Sequence, residues 1–288
     1  MTSDEDPLLA RKRLRISLRF WRDERSLTQK QVAEALDWSL SKVVRIESGE
    51  VRVSLTDLQA LMTLYRVSDD ENARLQGWAR SARRQPWYRE FQSVLDRGYD
   101  EYLGYENSAT TIDTFQGLLI PGLLQTPEYA EAVMAANGAT EATKRVEVRL
   151  RRQALLRQPD SPTFRCVIDE AALHRQVGGP DVMRQQLLRL RDETGPGISV
   201  GIIPFSSGAH ASMSQPFTLL TLDSEEEVLF QEAAARTVTI REDTRMVAGY
   251  RHRFGRLLAM AAEGEQARLL IDGVIRGLPD ATPTGQSG

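Results

Sequence analysis

Three histidines, one cysteine and one adjacent pair of carboxylates are the side chains here with the means for metal binding, nucleophilic attack or proton transfer. His174, His210 and His252 stand far apart and show none of the short spacings by which imidazoles share a metal ion. Cys166 lies in the run FRCVIDEAAL with nothing nearby to draw out a thiolate, so a small buried strand residue is expected. A single cysteine rules out a disulfide within the chain, which suits a cytoplasmic protein. Asp169 and Glu170 could share acid–base work, but adjacency is no argument for it, and a place at a strand-to-helix junction is the plainer expectation. The turns GGPD and SSGAH have neither the Lys-Ser/Thr ending of a phosphate loop nor a GxGxxG spacing. No catalytic residue, metal or cofactor is therefore expected, and the chain is not expected to be an enzyme. The loop PFSSGAHASMSQPF could cover a pocket lined by Phe205, His210 and Phe217, or could be a simple hairpin connection.

If the chain acts by binding, charge indicates where. Its 288 residues allow about two domains, and 41% hydrophobic with 27% charged residues is ordinary globular composition. No run approaches the roughly 20 apolar residues of a membrane span. The opening MTSDEDPLLARKRLR puts acid before base with no apolar core, so no secretory signal is visible and a cytoplasmic location is expected. Between Leu8 and Arg66 there are 12 Lys and Arg against 7 Asp and Glu, an excess of 5 positive charges. Since the whole chain carries −3, the remainder carries −8. A basic head on an acidic body points to a polyanion partner for the head, although a solvated helical face would give the same count.

The head reads as five short helices. Leu14, Leu18 and Trp21 make an i, i+4, i+7 stripe on the first. Thr28 with Gln31 is a capping-box pattern opening the second, whose apolar face is Val32, Ala33 and Leu36. After the interruption Asp37-Trp38-Ser39, Ser39 can cap a third helix that turns Val43 and Ile46 inward and that Gly49 can close with a positive φ. Ser54 with Asp57 starts a fourth carrying Leu58, Leu61, Met62 and Tyr65, and Ser68 with Glu71 a fifth carrying Leu75 and Trp78.

These residues together resemble the helix-turn-helix domain of the phage-repressor-like (Cro/C1-type, or XRE) regulators, over residues 10 to 67 or so. The shared pattern is Thr28-Gln29, Val32-Ala33, the turn Asp37-Trp38-Ser39, Val43, Ile46 and Glu47-Ser48-Gly49. The resemblance implies double-stranded DNA as partner, with the third helix in the major groove and the second bracing it. Leu40, Ser41, Val44 and Arg45 would then face the bases. Arg45 is the candidate for a bidentate contact to guanine. Leu40 and Val44 would meet thymine methyls, or pack against the fourth helix or a dimer partner. Thr28, Gln29, Ser39, Lys42 and Arg52 are the candidate phosphate contacts, Gln29 aided by the helix N-terminus. Arg22 and Glu47 occupy the positions of an internal ion pair that orients the reading helix. The chain departs from the pattern where Ser26 and Asp37 replace glycines and where Trp38 enlarges the turn, which bears on turn geometry.

A connecting segment follows, rich in Trp87, Tyr88, Phe91, Tyr99, Tyr102 and Tyr105. It could stack bases, but with so few cations a segment packed onto the second domain is the stronger expectation. Next come a turn at Ile120-Pro121-Gly122, a Thr126-Pro127 helix start, and a charged helix with Val146, Leu150, Leu155 and Leu156 inward. From Phe164 the texture becomes strands: FRCVIDEAAL, ISVGIIPF, FTLLTL, EVLFQEA and TVTI. The near-continuous run Ile198 to Phe205 suggests a strand buried on both sides, and EEEVLFQEA an edge strand able to pair with another chain.

The fold expected is α+β overall. A five-helix helix-turn-helix domain fills residues 1–84, a connecting segment 85–110, an α+β regulatory or dimerisation domain 111–277, and a disordered tail 278–288. The phrases IPGLLQTPEYA, RLRRQALL, IDEAALHRQVGGPDVMRQQLLRL and IIPFSSGAH further resemble the antitoxin-like helix-turn-helix regulators of actinobacteria, which carry a C-terminal domain of unassigned function. That resemblance implies a homodimeric regulator responding to a small-molecule effector or to a small partner protein from an adjacent gene. An antitoxin-like role, sequestering that partner while DNA binding serves autoregulation, is the alternative.

Overall fold

In the computed structural model the described residues are 6–193, 197–223, 226–233 and 237–279. They form two compact units: the residues up to Arg89 with Leu103–Ser108, and Glu90–Tyr102 with the residues from Ala109 onward. Residues 280–288, the greater part of the expected tail, lie outside the described residues. Leu278, placed in that tail, is buried, its N–H closing the last helix on the Ile275 carbonyl at 3.2 Å.

The first unit is helical as its caps dictate. Asp6 and Pro7 start α1 (Pro7–Glu24), the Asp6 carboxylate accepting from the Leu8 N–H at 2.9 Å. The Thr28–Gln31 box opens α2 (Gln29–Ala35) with both of its hydrogen bonds made. Ser39 caps α3 (Leu40–Ser48), Ser54 caps α4 (Leu55–Tyr65) and Ser68 caps α5 (Asp69–Ser81). Leu14, Leu18, Val32, Ala33, Val43, Ile46, Leu58, Leu61, Met62, Tyr65 and Leu75 all enter one core, with Trp21, Leu36 and Trp78 packed at its margin. Ser26 and Asp37 adopt φ of 53° and 54°, the left-handed geometry that glycine takes without strain.

The aromatic segment offers no stacking surface. Tyr88, Phe91, Tyr102 and Tyr105 are buried. The Tyr88 hydroxyl donates to Asp6 at 2.8 Å, and Tyr105 accepts from Lys12 at 2.7 Å. Within this stretch runs α6 (Tyr99–Asn107).

The second unit is built on a six-stranded mixed sheet, one strand more than the sequence reading gave. The extra strand is β1 (Ala109–Gln116), a Thr-rich segment with an aspartate at its middle. It is followed by β2 (Thr163–Asp169), β3 (Ile198–Ile203), β4 (Phe217–Leu222), β5 (Glu227–Ala233) and β6 (Thr237–Arg241), in the order β3-β2-β1-β4-β5-β6. Strands β1 to β3 run parallel, and the remaining pairs are antiparallel. Two expectations are corrected by this order. EVLFQEA is not an edge, because β6 pairs with its outer side. The run from Ile198 does lie at an edge, with only Gly201–Ile203 fully buried, where Ile202 and Ala262 exchange backbone hydrogen bonds at 2.9 and 2.8 Å. Helices α7 (Pro127–Ala136), α8 (Ala142–Gln153), α9 (Ala171–His174), α10 (Pro180–Asp192), α11 (Thr244–Met260) and α12 (Gly264–Gly277) complete the unit. No helix among the described residues is long and apolar enough to cross a membrane.

Alternation on β1 explains its composition. Phe115 joins the core formed with α11, while Ile112, Thr114 and Gln116 line a cavity on the opposite face. Asp113 shares the α11 face and has no exposed side-chain surface. Arg165 meets it bidentately at 2.6 and 2.7 Å, and Arg251 of α11 also donates to it. Glu227 accepts from Arg251 Nε at 2.7 Å, so each charge in the cluster has an opposite. Cys166 is buried on β2, and that burial pushes its thiol well above the ordinary range.

Two consequences are measurable by denaturant unfolding. Asp113→Asn strands two half-buried guanidinium groups and is expected to cost about 3 kcal/mol. Ser26→Gly relieves a left-handed serine and is expected to add about 1 kcal/mol, seen as a higher midpoint at unchanged slope.

Candidate nucleic-acid interface

The interface is organised by the carboxylate of Glu47, which is 2% exposed. As the penultimate residue of α3, it faces back toward α1 and α2. Arg22 donates to it from Nε at 2.7 Å and from Nη2 at 3.2 Å, and Gln29 Nε2 donates at 2.8 Å. Arg22 also holds the Leu27 carbonyl at 2.9 Å, fixing the chain between α1 and α2. The hydrogen bonds that Arg22 donates to Glu47 outweigh the effect of burial and raise the Arg22 pKa above its ordinary value. Three helices are thus pinned at one buried point.

With Val43, Ile46 and Glu47 turned inward, the opposite face of α3 is open. Leu40, Ser41, Val44 and Arg45 are all exposed, Leu40 by 47% and Val44 by 38%. Two exposed aliphatic side chains a turn apart are unusual on a solvated helix and fit a surface that meets apolar groups. Among the described residues Arg45 keeps only a loose surface contact, Nε lying 3.8 Å from Glu50, which a base edge could replace. Ser39 accepts from the Lys42 N–H at 3.2 Å, and its hydroxyl hydrogen has no acceptor among the described residues. Arg52 is exposed and, among the described residues, donates only to the Arg83 carbonyl, at 3.3 Å.

Three of the candidate phosphate contacts have partners within the unit. The Gln29 amide gives one of its two hydrogens to the buried carboxylate of Glu47. The Thr28 hydroxyl is occupied within its own capping box, at 3.2 Å from the Gln31 N–H and 3.0 Å from Gln31 Oε1. Lys42 is an internal contact, with its Nζ 2.7 Å from Asp57 and 3.7 Å from the centre of the Trp38 ring. The enlarged turn residue thereby gains a role: Trp38 and Asp57 hold Lys42 between α3 and α4. Fifteen residues separate Lys42 from Asp57, so no local pattern announced the pair.

In the second unit, the three residues proposed as one pocket are held differently, although His210 and Phe217 both flank the Phe115 ring. Phe217 is buried against Phe254 and Tyr250, and Phe205 is 58% exposed and stacked on His174. His210 is buried and bonded through Nε2 to Asp169 at 2.9 Å. That bond ties the loop to the end of β2. Asp169 also caps the Ala171 N–H at 2.8 Å, and Glu170 accepts from the Phe205 N–H at 2.6 Å, so both carboxylates organise the strand-to-helix junction.

A family model described as a helix-turn-helix domain matches residues 13–75, and one described as a domain of unknown function (DUF5753) matches residues 99–273. No curated protein and no solved structure gave a significant match. The open face of α3, braced as described, and the helix-turn-helix match agree on a DNA-binding regulator. The chain belongs to the DUF5753 family and carries the helix-turn-helix domain ahead of that domain.

Proposed function

We propose that the protein is a homodimeric, sequence-specific transcriptional regulator of the cytoplasm that binds rather than catalyses. Each helix-turn-helix reads one half-site in the major groove, the two separated by about one helical turn of roughly 34–36 Å. The observation that carries this reading is α3 itself, buried along Val43, Ile46 and Glu47 and exposed along Leu40, Ser41, Val44 and Arg45. In this reading the second unit supplies dimer contacts and the response to an effector. A cavity of about 100 Å³ beneath α8, lined by Tyr99, Tyr102, Thr114, Arg149, Arg152 and Thr218 among others, supports an effector role. The antitoxin-like reading of the actinobacterial regulators is the second one. The long motifs around Ile120–Tyr129 and Ile168–Leu190 support it. A small protein co-purifying with the full chain would favour it.

The test is selection of bound duplexes from a random pool by the full chain and by Arg45→Ala. The variant should lose preference at one base pair per half-site, a discrimination of about 1–3 kcal/mol, and keep it elsewhere. An equal loss at every position would mean that Arg45 touches only the backbone.

A further inference from the structure

We propose that the first unit carries a second seat for the DNA backbone, a phosphodiester site formed by Arg11, Arg15, Arg52 and Arg83 beside the C-terminal end of α3. The inference rests on the DNA-binding reading and extends it to a surface outside the helix-turn-helix pair.

The four side chains come from α1, the loop after α3 and the chain just after α5, and they line one cavity of about 40 Å³. The rest of its lining is largely apolar, Leu14, Leu18 and Val53 among it, so the anionic oxygens of one phosphate would sit at its arginine side, and the space is too small for a nucleoside. Among the described residues none of the four forms a salt bridge with a carboxylate, in a chain where Arg22, Arg165 and Arg191 all do. The partners of Arg11, Arg15 and Arg52 are main-chain carbonyls instead. Arg11 donates to the carbonyls of Ala82 at 2.8 Å and Arg84 at 3.2 Å, Arg52 to that of Arg83 at 3.3 Å, and Arg15 to that of Ser48 at 3.4 Å. Such bonds orient a guanidinium while leaving most of its charge uncompensated. Arg15 Nε is buried and has no acceptor among the described residues. Burial, and after it the nearby charges of Arg52 and Arg89, lowers the Arg11 pKa, and Tyr88 and Asp6 offset this only in part. An anion in the cavity relieves all of this together.

DNA is the anion the position favours. Ile46 of the reading helix, Gly49 and Val51 form the cavity's other side, and the Val51 N–H bonds to the Arg45 carbonyl at 3.2 Å. Gly49, with φ of 81°, lets the Arg15 side chain cross the helix end, where an added Cβ would stand 3.3 Å from Arg15 Cδ. The cavity thus adjoins, through one main-chain hydrogen bond, the residue proposed to read a base.

The test is the affinity of the full chain for a random-sequence duplex across a range of salt concentrations, for wild type, Arg83→Gln, Arg52→Gln/Arg83→Gln and Arg74→Gln. Arg52 and Arg83 are exposed, so folding is expected to persist, and circular dichroism checks it. Each cation lost from the seat should reduce the slope of log affinity against log salt by about 1. Arg74, already paired with Glu71 at 2.7 Å, is the control for net charge and should leave the slope unchanged. Unchanged slopes in the seat variants, or an equal change in Arg74→Gln, would overturn the seat while leaving DNA binding intact. If wild type retains no duplex even at low salt, the DNA reading itself falls, and the seat with it.

Discussion

A buried carboxylate at the end of a nine-residue helix governs what this protein can do. An isolated helix as short as α3 is not stable in water, and its own apolar face is small. Glu47 answers that weakness by drawing three hydrogen bonds from two other helices onto one point. Such an ion pair adds little net stability compared with an apolar contact of the same size. Its contribution is directional: the bidentate Arg22 fork admits one orientation of Glu47, hence one rotation of α3 about its axis. That rotation decides which residues are left outside.

The second unit solves a related problem with the same chemistry. Asp113 sits at the centre of the sheet, without solvent contact, and is met by arginines from β2 and α11. The cluster ties a strand of modest hydrophobicity to its neighbour and to the helix across its face. In both units arginine meets a buried carboxylate where elements must keep one geometry. The four arginines beside α3 break that rule, meeting no carboxylate among the described residues.

Much of the first unit was legible because its signals are local. Thr28, Ser39, Ser54 and Ser68 each cap a helix three residues before the N–H they accept, and the apolar spacing between them marks the core face. The left-handed positions of Ser26 and Asp37 could be located only through the family pattern, since neither residue declares such geometry alone. What escaped the sequence was non-local. β1 is missed because Thr110, Thr111, Asp113 and Thr114 give no apolar alternation, and it is a strand because parallel and antiparallel partners from 50 and 100 residues away enclose it. Lys42 and Gln29 read as surface donors until Asp57 and Glu47 come beside them. The order of β5 and β6 is likewise set by pairing, and nothing within EVLFQEA distinguishes an inner strand from an edge.

The account stands on the claim that Glu47 sets the posture in which α3 meets DNA. The most direct measurement is the affinity of Glu47→Gln for a duplex that the unaltered chain selects from a random pool, taken where both proteins are folded. Glutamine keeps the size and loses the charge that holds Arg22, so binding at least tenfold weaker is predicted. Equal affinity in the two proteins would show that the orientation of α3 does not depend on this pair.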